Sequence, residues 1–179
     1  STSTSTSTST STSTSTSTST STSTSTSTST TSQSTGKPFV NPYELNDALL
    51  YGLSPYNNSI SAFTSSFQLA KGISMGVYNT AGQPITSGKV GTSAVVKINS
   101  TDGLIARYTV LLYGDLDGDG SINIIDMVHL KKHLLKIKLL TDIKLTAANI
   151  DKSADGVANI FDMVIMKKQV LKISDINQK

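Results

Sequence analysis

The sequence contains no cysteine, so neither a disulfide framework nor a thiolate site is open to it. It has no apolar run of 18 residues or more, and therefore nothing that reads as a membrane span or a signal peptide. Residues 1–35 lack charge, aromatic rings and aliphatic side chains altogether, being Ser and Thr apart from Gln33. Such a tract cannot bury enough apolar surface to offset its ordering entropy, and residues 1–36 read as a linker. Ser/Thr-rich tracts are common substrates for O-glycosylation, so O-glycans are an expectation here, although the proline typical of such stalks is missing. A chain that opens inside a linker reads as a fragment of a larger protein, with any chemistry upstream.

Residues 37–113 are equally poor in reactive groups. Glu44, Asp47 and Asp102 are their only acids, and they hold no histidine. No catalytic constellation can be assembled from that set, and no enzymatic activity is expected. The stretch "SPYNNSISAFTSSF" reads as a short helix with Ser59 as N-cap. "SMGVYNTAGQPI" and "SAVVKINSTDGLIARYTV" read as strands joined at turns, with Leu104, Ala106, Tyr108, Val110 and Leu112 alternating onto one face. Tyr43, Tyr51, Tyr56 and Tyr78 could form a sugar platform, but tyrosines at such positions are expected in the core.

The net charge of +3 does not point to nucleic acid, because the lysines alternate with Asp-rich loops and no RNA-binding aromatic signature accompanies them.

What the sequence does have is "DLDGDGSINIID" at 115–126, placing four carboxylates in twelve residues just before an apolar, Lys-rich run. "DKSADGVANIFD" repeats the pattern 36 residues on, at 151–162. Carboxylates packed this closely repel one another unless a cation holds them. Both stretches fit the twelve-residue calcium loop, whose ligands stand at positions 1, 3, 5, 7, 9 and 12 and whose position 6 must turn sharply. In the first loop those ligands are Asp115, Asp117, Asp119, the Ser121 carbonyl, Asn123 and Asp126, with Gly120 at the turn. In the second they are Asp151, Ser153, Asp155, the Val157 carbonyl, Asn159 and Asp162, with Gly156 at the turn. The expected cofactor is two Ca²⁺. No helix precedes the first loop, so each unit is a loop plus one exiting helix, which argues against a switch that works by opening paired helices.

Aligned by their loops, the copies agree at 13 of 24 positions, which is more than a common ligand set requires. Met127, Leu130, Leu134 and Ile137, with Met163, Met166, Val170 and Ile173, follow helical spacing and are expected to be core. A second stripe is left over: Ile124, Ile125, Val128, Lys132 and Leu135, repeated as Ile160, Phe161, Val164, Lys168 and Leu171. It either meets a partner or packs on the helix around "TDIKLTAANI" or on the preceding region. His129 and His133 stand four apart, but "HLKKH" lacks the glutamate of a zinc protease, and both are expected at the surface.

The duplicated "GDLDGDGSINIID"-type loop, each copy followed by a single helix carrying "KK", resembles the dockerin family, the calcium-dependent plugs that dock enzymes and scaffold proteins onto cohesin modules. The likeness covers about 114–174. The region before it is similar to the small β-rich X modules that precede some dockerins. The resemblance implies an α+β chain in two parts: a β-rich module, Ig-like or small α+β, at 37–113, then an all-α dockerin with two F-hand loops and three helices at 114–179. It also implies that loop positions 10 and 11 and the later basic pair face the partner. These are Ile124, Ile125, Lys131 and Lys132, then Ile160, Phe161, Lys167 and Lys168. The function implied is attachment of a parent protein to a cohesin, in a cellulosome-type or cell-surface assembly of a bacterium that degrades polysaccharide. A calcium-stabilised spacer, or the address tag of a glycoside hydrolase, are the alternatives.

Overall fold

The computed structural model describes residues 37–179, all within one compact unit, Thr35–Lys179. The linker reading and the expected O-glycans fall on residues outside those described. The first part is β-rich: β1 Phe39–Val40, β2 Glu44–Asn46, β3 Leu49–Tyr51, helix α1 Ile60–Ser65, β4 Gln68–Leu69, β5 Ser74–Tyr78, β6 Val95–Ser100 and β7 Gly103–Val110. The second part carries three helices, α2 Ile124–Leu134, α3 Asp142–Ala148 and α4 Ile160–Val170.

Five strands form one sheet in the order β2-β3-β7-β6-β5, and β1 pairs with β4 in a separate ribbon. The β6–β7 hairpin closes at Ser100↔Gly103, where "STDG" supplies the turn residues. The pairing of β3 with β7 is parallel, in the register Leu49↔Thr109 and Leu50↔Val110, so β7 is a central strand. Helix α1 starts at Ser59, whose hydroxyl accepts from the Ala62 N–H, and it drops Phe63 into the core. Tyr43 stacks on Phe63 at 5.1 Å, with Phe67 edge-on to Phe63 at 5.3 Å. Tyr43 is thus half-buried against the core. Tyr51 packs on the helical core, Tyr78 lies beneath the Lys97 ammonium, and Tyr56 is bonded to the C-terminal tail, so the four share no sugar-binding face.

No spacer separates the two parts. From the end of β7 the chain enters the first loop within four residues, with Leu112 in the sheet's core and Leu111 in the helical core. Leu111, Leu116, Leu130, Ala147, Ala148 and Met166 build that second core, each almost fully buried. Burial of a Leu or Met side chain stabilises by about 1.5–3 kcal/mol, so Leu130 and Met166 anchor their helices. The tail closes over the junction. Gln178 exchanges two hydrogen bonds with the Tyr113 backbone, each 2.9 Å, while Gln169 donates to Tyr56 Oη, which donates to Asp175.

Two residues expected in the core are not there. Ile137 and Ile173 are 70% and 68% exposed. Helical spacing fails at these positions because both helices stop first. Lys136 and Lys172 take positive φ of 55° and 56°, the Ile137 N–H donates to the Lys132 carbonyl, and the Ile173 N–H donates to that of Lys168. This is a Schellman ending with lysine where glycine is usual, so nothing in the residue types announced it. His133 also departs from expectation. It is half-buried, and its Nδ1 accepts the Leu140 N–H, tying the chain after α2 to the helix.

Candidate functional site

Each loop is organised from its last residue inward. Asn123 and Asn159 are N-caps, accepting from the Ile125 and Phe161 N–H groups. Asp126 and Asp162, three residues on, reach back to the Asn123 and Asn159 N–H, completing a capping box at each helix. Their other carboxylate oxygens fold over the loop's start: Asp126 Oδ1 accepts from Leu116 and Asp117, Asp162 Oδ1 from Ile150 and Asp151. Each carboxylate therefore ties the end of its loop to the beginning. Both are completely buried.

In the first loop Asp115, Asp117 and Asp126 converge, one oxygen of each lying within 4.8 Å of the others. Asp115 is also fully buried, and its oxygens are held by the N–H groups of Gly118, Gly120 and Thr92. Burial pushes the Asp115 carboxyl up to about 7, against those N–H bonds and assisted by the charge of Asp126. Asp126 is raised as well, again mainly by burial. Among the described residues no side-chain cation bonds to either carboxylate: their partners are backbone N–H groups. Buried carboxylates without a counter-charge, gathered within bonding distance of one point, suit a hard cation with oxygen ligands. Asp119 is exposed, accepts from Ser121, and completes the turn with Gly120 at φ 78°.

The second loop has the same capping box but is tied at Ile150 and Asp151 rather than at the counterparts of Leu116 and Asp117, and its surroundings differ. Asp151 and Asp155 are exposed, and Ser153 donates its hydroxyl to Asp155 or Asn149. The Val157 N–H, followed by the Ser153 hydroxyl, holds Asp155 below the usual carboxylate range. The Val157 carbonyl accepts from the Asn159 amide.

The second stripe is uncovered on both helices. Ile124, Ile125, Val128 and Leu135 are exposed, as are Ile160, Phe161, Val164 and Leu171, with Lys131, Lys132, Lys167 and Lys168 beside them. None of them packs on α3 or on the sheet as core. Ile137 and Ile173, released from the core by the helix endings, are exposed as well, as is Leu139.

Sequence reasoning missed the wall around the first loop. Asn58 is buried and its amide donates to the Gly120 carbonyl at 2.5 Å and to the Val90 carbonyl at 2.9 Å. Lys89 donates to the Ser121 hydroxyl, and Lys144 of α3 to the Asp117 carbonyl. The one signal in the sequence was Gly91, since a glycine inside a strand-like run often marks a close backbone approach.

Residues 113–171 match the family model of the dockerin type I domain. No curated protein and no solved structure matches the chain.

Proposed function

We propose that the chain, whose residues 113–171 match the type I dockerin family model, docks its parent protein onto a cohesin through calcium-ordered helices. Dockerin domains bind cohesins in a calcium-dependent manner and are not catalytic. Beyond that, the reading assigns one Ca²⁺ to each loop, held by Asp115, Asp117, Asp119, the Ser121 carbonyl, Asn123 and Asp126, and by Asp151, Ser153, Asp155, the Val157 carbonyl, Asn159 and Asp162. Calcium supplies the positive charge that the converging carboxylates lack, and the chain supplies the frame that aims α2 and α4. The docking face is Ile124, Ile125, Val128, Lys131, Lys132 and Leu135 together with the equivalents 36 residues on. An apolar centre with a basic rim is the usual anatomy of a specific interface. The observation that carries the reading is that repeated apolar and basic residues stay exposed on two helices whose bases are acidic loops. Among the described residues no helix is long and apolar enough to cross a membrane. The assembly context proposed is a secreted or cell-surface complex of a polysaccharide-degrading bacterium, with 37–113 as an X-type module and 1–36 as its tether.

Capture by a panel of cohesins, with calcium and then with EDTA, tests this. Binding is expected to be lost in chelator and restored by Ca²⁺. Ile160→Asp with Phe161→Asp is expected to weaken capture at least about twofold at unchanged thermal stability, because a carboxylate is costly only where the partner buries it. Capture by no cohesin, or a stability loss matching the affinity loss, would overturn the docking assignment.

A further inference from the structure

The first loop is finished by a part of the chain far from it in sequence. The Thr92 N–H donates to Asp115 Oδ2 at 2.7 Å, and the Thr92 hydroxyl exchanges bonds with the Leu112 N–H and carbonyl just before the loop. Gly91 sits so close that a Cβ there would stand 2.5 Å from the Gly118 carbonyl and 2.6 Å from Asp115 Oδ2, and would also strike the Gly120 N–H. From the loop's side, a Cβ on Gly120 would stand 2.8 Å from the Val90 carbonyl and 2.9 Å from the Asn58 amide. Asn58 spans both partners, and its Oδ1 has no hydrogen-bond partner among the described residues. The β3–α1 and β5–β6 connections thus form one wall of the ion loop.

We infer that the β-rich part is a working half of the first ion site, with Asn58, Gly91 and Thr92 acting as positioning residues for the Asp115 loop. Calcium at this loop and order in the β5–β6 connection are then coupled. By linkage, whatever factor the folded connection adds to calcium affinity, calcium returns to the connection's stability. The second loop, where a Cβ on Gly156 would meet nothing within 4 Å, has no such dependence. The inference rests on the calcium reading above and needs no cohesin for its test, so the two can fail separately.

Hydrogen exchange of the full chain, with and without saturating Ca²⁺, is the first measurement. The amides of Thr92, Ala94 and Val96 are expected to slow at least tenfold with calcium. Equal exchange in both states overturns the coupling. Calcium titration of Gly91→Ala and Asn58→Ala, each in an Asp155→Ala background that removes the second loop's signal, is the second. Each is expected to weaken the remaining site about tenfold or more, whereas the same changes in an Asp117→Ala background leave the second loop within twofold. Unchanged affinity at the first loop in the Asn58 variant overturns the positioning role. Should Gly91→Ala fail to fold, the exchange measurement on the unaltered chain still decides. A chain that bound no calcium at all would instead overturn the calcium reading on which this rests.

Discussion

The two loops share their helix-capping ends and differ in almost everything else. Asp126 and Asp162 close matching capping boxes and both Asn caps are matched, but Asp126 reaches back to the N–H groups of Leu116 and Asp117 at positions 2 and 3, whereas Asp162 reaches to Ile150, just before its loop, and Asp151 at position 1. Yet position 1 is buried in the first loop and exposed in the second, and the turn glycine is crowded in one and free in the other. A repeated sequence therefore repeats its local chemistry, while tertiary context sets how each copy behaves. The first loop is packed between sheet and helices; the second faces solvent.

The sharpest way to break this comparison is at the turn. Gly120 and Gly156 both hold positive φ, 78° and 66°, so alanine at either is strained by about 1–2 kcal/mol. At Gly156 that strain is the whole expected cost. At Gly120 the new methyl would also stand 2.8 Å from the Val90 carbonyl, and forcing that contact apart adds about 1–3 kcal/mol. Thermal unfolding of the two variants in calcium should separate them clearly, with Gly120→Ala the less stable. Equal losses would mean that the wall yields and that the loops are more alike than their packing suggests.

Acid should separate the loops in a second way. Without metal, Asp115 titrates near 7, well above the ordinary value of about 3.9. A carboxyl whose folded value is raised favours the metal-free fold while it is protonated. That contribution is complete below about pH 4 and is lost as pH rises through 7. Calcium must displace the same proton, so affinity at the first loop falls as pH drops below 7, by about a hundredfold at pH 5. Asp155 in the second loop is held low by the Val157 N–H and adds no such dependence. Titrations of calcium at pH 5 and 7.5, on variants with one loop silenced, should give a steep dependence for the first loop alone. Parallel profiles would count against the burial of Asp115.

How far these differences could be read beforehand follows from the range of the interactions involved. The ion loops were legible because carboxylates at alternate positions with a central glycine have few other uses, and the capping asparagines fall inside the same pattern. Helix α1 and the β6–β7 hairpin were legible because Ser59 and "STDG" act within a few residues. Strands β1 to β4 were not, being two or three residues long and too short to establish a period. The parallel pairing of β3 with β7 was also hidden, since no local signal specifies it. Ile137 and Ile173 were misjudged because the endings at Lys136 and Lys172 use lysine in a glycine's conformation. The wall of Asn58, Gly91 and Thr92 joins positions that only the fold brings together.

The smallest expected effect concerns the two outer faces. Although the first loop is walled and the second open, Lys131, Lys132, Lys167 and Lys168 are all exposed, and so are the apolar residues beside them. The sheet covers neither face. A single cohesin site could then accept either helix after a half-turn of the domain. If both orientations bind equally, destroying one halves the association constant, a loss of about 0.4 kcal/mol. The faces differ at Ile125 against Phe161, and a preference of about 1.4 kcal/mol would bias the orientations tenfold. Reversing the favoured pair, by Lys→Glu at both positions, should therefore weaken binding between about two- and tenfold, and reversing the other pair should do less. Reversal of all four should abolish it. Calorimetry on the three variants distinguishes the cases: if either pair alone abolished binding, one orientation would be the only one in use, and the exposure of the other face would need a different explanation.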